Sequence, residues 1–219
     1  STIFIDGGKK LCATEYSVMP DRIVAGTYLA CCGSAKGRVL LKNVNPSDIT
    51  SAVSRLTEMG ADIKCGNDTV LIKVDKRLKS FGTIRTMPYP GFPTDLQSAV
   101  LVAALRAEGV SEIEETIFEN RFHIVEPLQD MGANVKVLDE RRVKVWGPSV
   151  LTGKSVEAWE LRGGAAMVLA GLMADGVSTI NGYRYIMRGY ENIAKDLTEL
   201  ELHTTRIYEL VINMIQQSL

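Results

Sequence analysis

The sequence has 219 residues, of which 46% are hydrophobic, and a formal net charge of -1. This length suits one domain, at most two, and the near-neutral charge without basic runs between aromatic residues argues against a nucleic-acid-binding protein. No apolar stretch approaches the roughly 18 residues that a membrane-spanning helix needs, and the first ten residues lack a signal-peptide pattern. We therefore expect no membrane partner and a cytoplasmic location.

The cysteines and histidines do not predict a metal site. The cysteines have no CxxC spacing, and the histidines lie far from them in sequence, so we expect no metal and no cofactor. We interpret the cysteines as small buried hydrophobic residues. The cysteines are Cys12, Cys31, Cys32 and Cys65, and the histidines are His123 and His203.

From Asp21 to Val74 the predicted order is helix, strand, helix, strand, strand. Apolar spacing predicts the first helix, Ser47 is the expected N-cap of the second, and Gly60 ends it. The predicted ranges are 21–32, 38–44, 47–59, 61–64 and 70–74.

The same order returns from Thr94 to Val145. Two prolines and a glycine in Tyr89–Pro93 exclude a regular element, and Thr94 with Gln97 is typical of a capping box that begins a helix. Asp95 then lies in a first helical turn, where backbone N–H groups and the dipole favour a carboxylate. Such acids are common, so this position alone leaves a structural or a functional role open. The predicted ranges are 94–107, 111–115, 120–131, 132–137 and 142–145.

A third copy begins at Leu161, but it departs from the pattern. An apolar helix, a strand over Ser178–Ile180 and a helix from about Gly189 to Leu200 follow in order. Leu200-Glu201-Leu202 then stands where the other copies have Gly-Ala. Apolar residues at helical spacing after it predict a helical tail over 201–219, packed on the outside of the domain.

The spacing of glycines supports three repeats. Gly37 and Gly109 are 72 residues apart (109 − 37), and Gly109 and Gly176 are 67 apart (176 − 109). A short strand precedes each copy, at 15–18, 82–85 and 154–157, so the unit is βαβαββ and the fold class is α/β or α+β. The repeats are expected at about 11–75, 78–147 and 150–200, within a domain over 1–200.

Arginines lie at four predicted helix starts, where the helix dipole disfavours a cation. Each can pair with an acid nearby in sequence, such as Asp21, Glu119, Glu160 or Glu191. Alternatively, guanidinium groups and helix N-termini together form an anion site for phosphate or carboxylate, with Asp95 and Glu160 as groups for proton transfer. Both interpretations remain open at this point. The four are Arg22, Arg121, Arg162 and Arg188.

Four segments resemble the family of bacterial UDP-N-acetylglucosamine 1-carboxyvinyltransferases, which are enolpyruvyl transferases. They are YPGFPTDLQ from Tyr89, TIFENRFHIVEPLQDMGANV from Thr116, ELRGGAAMVLAGLMADG from Glu160 and MRGYENI from Met187. The resemblance extends from Thr2 to about Leu200. It implies an inside-out α/β barrel domain of three βαβαββ units, with helix N-termini facing a cleft between two domains. The resemblance also implies that this chain is only the C-terminal domain, so we expect its partner, the N-terminal domain, to be absent.

The same resemblance implies roles for individual residues. Asp95 matches the aspartate that contacts the sugar nucleotide and acts as base for its 3-hydroxyl, and Ile117 matches a position whose backbone holds that ligand. Glu160 stands where many members have Asp and is a second acid/base candidate. Arg162 and Arg188 match arginines that hold phosphoenolpyruvate. The implied reaction releases phosphate and serves peptidoglycan synthesis, and hence cell-wall biogenesis, cell shape, cell cycle and division.

Two other functions remain open. One is the sister reaction on shikimate 3-phosphate, which shares the repeat fold. The other is a non-catalytic anion-binding module, for which the irregular tail and Glu160 are the only indications. The family's Lys-Asn pair and its reactive cysteine loop have no counterpart in this sequence, so we expect the chain alone to be inactive.

Overall fold

The computed structural model describes residues 2–8, 10–202 and 210–211. In the first repeat, β1 pairs antiparallel with β3, and β3 pairs with β2, so a hairpin closes onto the strand that follows α1. The elements are α1 (Arg22–Ala35), β1 (Gly37–Lys42), a 3-10 turn (Pro46–Ile49), α2 (Thr50–Glu58), β2 (Asp62–Cys65) and β3 (Thr69–Val74).

The second repeat has every strand and helix of the predicted βαβαββ unit. β5 lies parallel to β4 and antiparallel to β7, which pairs with β6. The elements are β4 (Thr83–Arg85), a 3-10 turn (Thr94–Leu96), α3 (Gln97–Arg106), β5 (Gly109–Glu114), α4 (Val125–Asp130), β6 (Val135–Asp139) and β7 (Arg142–Gly147).

In the third repeat, β9 lies parallel to β8, as β5 does to β4. Two short strands from the C-terminal region complete the sheets: β10 pairs antiparallel with β1, and β11 pairs parallel with β9. The elements are β8 (Ser155–Glu157), α5 (Leu161–Met173), β9 (Ser178–Asn181), α6 (Tyr183–Ile186), α7 (Ile193–Thr198), β10 (Glu201–Leu202) and β11 (Leu210–Val211).

The core lies around α1, α3 and α5, which pack against one another. In α3, every residue from Gln97 to Leu105 is buried, as expected for a helix surrounded by protein. The central strands β1, β3 and β7 alternate buried and exposed residues, so each sheet covers the helices with one face and meets solvent with the other. The α/β class predicted from the sequence is therefore confirmed.

Close helix contact requires small residues at the centre. A Cβ added at Gly26 of α1 would lie 2.4 Å from Cδ1 of Leu96, in the turn that precedes α3. The glycine lets α1 approach the turn that carries Asp95. Within the described part of the chain, no helix is both long and apolar enough to cross a membrane.

The strand predicted at 15–18 is wrong. Among the described residues before Asp21 there is no strand, and Phe4, Tyr16 and Val18 are exposed. A strand needs a partner, and the edge of β1 is paired at Gly37 and Arg38 with β10. The first repeat therefore lacks the parallel strand that β4 and β8 supply to the other two sheets.

The predicted tail helix is also wrong where the structure can test it. Glu201–Leu202 and Leu210–Val211 are strands, because their backbone groups pair with β1 and β9. The remainder of the tail, 203–209 and 212–219, lies outside the described residues.

The second helices of the repeats differ from the predicted ranges. Asn45, not Ser47, caps the 3-10 turn that precedes α2, because its side chain accepts from the Ser47 N–H. The predicted helix over 120–131 shortens to α4, since Asn120 has a positive φ and Pro127 is confined to a first helical turn. The predicted helix over 189–200 shortens to α7, whose N-cap is Asn192.

The cysteines divide into two pairs. Cys31 and Cys32 are fully buried in α1, whereas Cys12 and Cys65 are exposed, so the prediction of buried cysteines is wrong for the second pair. Burial raises the pKa of the Cys31 thiol far above its usual range and that of Cys32 to about 12. Neither buried thiol forms a thiolate at pH 8.

We expect two of the four thiols to react rapidly with an aromatic disulfide reagent at pH 8, since only thiolates in contact with solvent attack it. All four should react after unfolding in guanidinium. Labelling of a Cys12→Ser/Cys65→Ser double variant is the control, and rapid native labelling of that variant would contradict the burial of Cys31 and Cys32.

Candidate functional site

Asp95 lies between two arginines at the junction of the second and third repeats. Its Oδ1 is 3.2 Å from Nη2 of Arg121, and its Oδ2 is 3.4 Å from Nε of Arg162. Arg121 precedes α4 and Arg162 lies in the first turn of α5, so residues distant in sequence meet at one carboxylate. We call Asp95, Arg121 and Arg162 the Asp95 cluster.

The capping box predicted around Asp95 is wrong. The Thr94 hydroxyl donates to Glu115, and the Gln97 side chain donates to the Arg121 carbonyl oxygen at 3.1 Å. Both side chains therefore connect the start of α3 to the loop after β5 instead of capping the helix. Gln97 thereby holds the backbone of Arg121 beside the same helix start.

Arg162 is the most buried member of the Asp95 cluster, with 14% of its side chain exposed. Its Nη1 is buried and has no hydrogen-bond partner among the described residues. A buried donor without a partner costs about 1–3 kcal/mol, so this nitrogen marks a position for an acceptor. One side of the guanidinium thus holds Asp95, and Nη1 is an enclosed donor without an acceptor.

Tyr190 lies against the same guanidinium group. Burial raises the pKa of the Tyr190 phenol, while its hydrogen bond with Thr27, the neighbouring positive charge of Arg162 and a hydrogen bond with the Arg162 side chain oppose that rise. Thr27 lies in α1, 2.8 Å from the Tyr190 hydroxyl, so all three repeats contribute to the surroundings of Arg162.

Glu160 is the N-cap of α5. Its carboxylate accepts hydrogen bonds from the backbone N–H groups of Arg162, at 2.8 Å, and Gly163. The side chain is half-buried, and a Cβ on Gly163 would lie 2.6 Å from its Oε1, so the glycine makes room for the longer acid. Glu160 therefore connects to Asp95 through Arg162.

Among the described residues, Asp95 forms its ion pairs with Arg121 and Arg162, and no hydrogen bond or ion pair joins it to Arg188 or Ile117. Arg188 is exposed and makes no ion pair within the described ranges. Its neighbour Gly189 packs on the first turn of α5, where an added Cβ would lie 3.4 Å from Nη1 of Arg162. Ile117 lies on the loop after β5, and its N–H donates to Glu115 at 2.8 Å, which leaves its carbonyl as the backbone group that can meet a ligand.

The helix-start arginines do not share one role. Arg121 and Arg162 do pair with an acid, but it is Asp95 and not the sequence neighbours Glu119 and Glu160. Arg22 instead stacks on Tyr89, with its guanidinium carbon 5.1 Å from the ring centroid.

The sequence placed Arg121 among the four arginines of a possible anion site, but it did not predict the pairing of Arg121 with Asp95. It missed Glu115 entirely, because nothing in the sequence distinguishes a buried glutamate from an exposed one.

A cavity of about 140 Å³ opens beside the Asp95 cluster. Apolar side chains form part of its lining, and Trp159, which is 71% exposed, lies next to charged groups at the same opening. The lining includes Arg121, Ile124, Trp159, Glu160, Gly163 and Met167. Within the described residues, no three His, Cys, Asp or Glu side chains are arranged to hold a metal ion.

Comparison with solved structures defines the class of protein. The enolpyruvyl transferase NikO from Streptomyces tendae has a TM-score of 0.74 at 26% identity, covering 84% of this chain and 43% of that chain. The fold is therefore that of the enolpyruvyl transferases.

Sequence comparison gives the family. A family model described as EPSP synthase (3-phosphoshikimate 1-carboxyvinyltransferase) matches residues 1–197, so the chain belongs to this family. Two curated relatives are each named UDP-N-acetylglucosamine 1-carboxyvinyltransferase 2. That of Caldanaerobacter subterraneus subsp. tengcongensis is 44% identical over 94% of this chain and 49% of its own length, and that of Geobacillus kaustophilus is 42% identical over 90% and 46%. The chain spans about half the length of these relatives.

The capping role of Glu160 gives a stability prediction. Glu160→Ala should lower the free energy of unfolding by about 1 kcal/mol, because two N–H groups of α5 lose their acceptor. Glu160→Asp should retain most of the free energy of unfolding that Glu160→Ala loses, since Asp is a favoured N-cap. Urea unfolding measures both variants, and equal stability of Glu160→Ala and the unmodified chain would contradict the cap.

Proposed function

We propose that this chain is the C-terminal half of an enzyme that transfers the enolpyruvyl group of phosphoenolpyruvate to the 3-hydroxyl of UDP-N-acetylglucosamine. The observation that carries the proposal is Arg162, whose Nε holds Asp95 while its buried Nη1 has no partner. An anion bound at Nη1 would lie beside the Asp95 carboxylate. That is the arrangement needed to place an anionic donor next to a hydroxyl acceptor.

The reaction has two steps, each with a proton transfer. In the addition, the sugar oxygen bonds to C2 of phosphoenolpyruvate, its proton passes to Asp95, and C3 gains a proton. In the elimination, the bond from C2 to the phosphate oxygen breaks, C3 loses a proton, and inorganic phosphate leaves. Glu160 is the second acid/base candidate, and Arg162 and Arg188 hold the donor's phosphate and carboxylate charges.

The remaining parts of the proposal follow from this substrate pair. The product would be a peptidoglycan precursor made in the cytoplasm, so the enzyme would serve cell-wall synthesis, cell shape and division. The second partner is an N-terminal domain that closes the cleft over the Asp95 cluster. The names of the relatives at 42–44% identity support UDP-N-acetylglucosamine over shikimate 3-phosphate as the acceptor.

Phosphate release from phosphoenolpyruvate tests the proposal, with UDP-N-acetylglucosamine and shikimate 3-phosphate offered in parallel. The protein should be expressed together with the preceding half of its reading frame. We expect release that depends on the sugar nucleotide and falls about 100-fold or more in Asp95→Ala and Arg188→Ala, because each removes a group used in the transition state.

Arg184→Ala is the matched control for Arg188→Ala, since Arg184 is an exposed arginine in the preceding helix that stacks on Tyr185. It should retain full activity, and the 219 residues alone should show none. Release that depends on shikimate 3-phosphate would contradict the substrate. A folded, silent protein that still binds phosphate would favour the non-catalytic anion-binding module.

A further inference from the structure

Glu115 is a buried carboxylate that the proposed reaction does not use. It is fully buried at the end of β5, and no ion pair with it forms in the described part of the chain. Four donors surround it instead. Its Oε1 accepts from the Thr86 hydroxyl and the N–H of Ile117, both at 2.8 Å, and from the N–H of Phe118 at 3.1 Å, while Oε2 accepts from the Thr94 hydroxyl at 2.7 Å.

All four partners donate, which suits a carboxylate because it accepts only. Such an arrangement compensates the loss of hydration without a cation. Thr86, the residue that directly follows β4, also accepts from the N–H of Thr116 at 2.8 Å, so this segment joins the same network. An amide in place of the carboxylate would turn its NH2 group either towards the backbone N–H groups of Ile117 and Phe118 or towards the Thr94 hydroxyl, which would then have to accept instead of donate.

Three of the four donors, Thr94, Ile117 and Phe118, come from parts of the chain that carry proposed ligand groups. Thr94 directly precedes Asp95 at the start of α3, and Ile117 is the proposed backbone contact of the sugar nucleotide. Asp95 and Ile117 are 22 positions apart in sequence (117 − 95), and no hydrogen bond joins them. Glu115 is the group that both segments bind.

We propose that Glu115 is a positioning residue for the sugar nucleotide, which sets the distance between the Asp95 carboxylate and the Ile117 carbonyl. It does so by holding the N–H of Ile117 inward and the Thr94 hydroxyl beside it. The carbonyl of Ile117 then receives no hydrogen bond from any described residue and faces the ligand as an acceptor. This inference rests on the proposed function.

The inference therefore predicts that sugar-nucleotide binding and anion binding depend on different residues. Sugar-nucleotide binding depends on the spacing that Glu115 fixes. Anion binding depends on Arg162 and Arg188, which Glu115 does not touch. A buried glutamate that only stabilised the fold would affect both ligands alike.

The test is an NMR titration of the isotope-labelled protein, expressed together with the preceding half of its reading frame, with UDP-N-acetylglucosamine and, separately, with inorganic phosphate. Glu115→Gln should weaken the sugar nucleotide about tenfold and leave the phosphate affinity unchanged. The amide protons of Ile117 and Phe118 should move upfield, because each loses a charge-assisted hydrogen bond. Glu114→Gln is the matched control, since Glu114 is the adjacent glutamate and pairs with Arg85 on the surface.

Thr94→Val is the second variant, because it removes one donor, keeps the side-chain shape and leaves the bonds from Glu115 to Ile117 and Phe118. It should weaken the sugar nucleotide in the same direction while the Ile117 and Phe118 signals stay in place. If Glu115→Gln does not fold, this variant decides: unchanged sugar-nucleotide affinity overturns the inference.

Equal weakening of both ligands in either variant also overturns the inference and leaves a purely structural role. Unmodified protein, expressed with the preceding half of its reading frame, that binds phosphate but not the sugar nucleotide would instead refute the proposed substrate, and the inference with it. If the unmodified protein binds the sugar nucleotide and Glu115→Gln binds it equally well, the inference is refuted while the proposed substrate stands.

Discussion

The shared carboxylate of Asp95 is the interaction on which the candidate site depends. It joins Arg121 from the second repeat to Arg162 from the third, across 26 and 67 residues of sequence. Ion pairs with this much exposure contribute roughly 0.2–1 kcal/mol each, and the unpartnered Nη1 of Arg162 costs a similar amount or more. The Asp95 cluster therefore adds little to stability, and its value lies in where it holds three charged groups.

The repeat architecture explains how the Asp95 cluster arises. Three buried helices meet at the centre, and their N-terminal ends carry the charged residues, so side chains from successive repeats converge. Gly26 and Gly163 permit the close contacts there. The sheets are less uniform, since the first lacks its parallel strand and the third takes the two-residue strand β11 where the others have a hairpin.

Sequence periodicity predicted much of this fold and part of the site. The glycine spacing and apolar runs predicted α1, α3 and α5 and the strands that follow them, because burial on all sides leaves a clear signal. Prediction from sequence failed where tertiary hydrogen-bond partners override local sequence patterns. Thr94 and Gln97 match a capping box, yet Glu115 and the Arg121 carbonyl are their partners. Pro127 lies in the first turn of the short helix α4. Residues 15–18 form no strand, because they pair with no other strand.

The site residues were predictable to the extent that the repeats aligned helix starts. That alignment drew attention to Asp95, Glu160, Arg162 and Arg121, but it could not show that Asp95 serves both arginines. The role of Glu115 depends on four donors from three segments, which no local pattern records.

The most direct measurement of the central claim is the affinity for phosphoenolpyruvate by calorimetry, measured on the protein expressed together with the preceding half of its reading frame and compared between Arg162→Met and Arg22→Met. Both replace a first-turn arginine, but only Arg162 belongs to the Asp95 cluster. The account predicts that Arg162→Met weakens binding about tenfold or more, the effect of one lost charge-assisted contact, while Arg22→Met leaves it unchanged. Equal affinity of the two variants would contradict it.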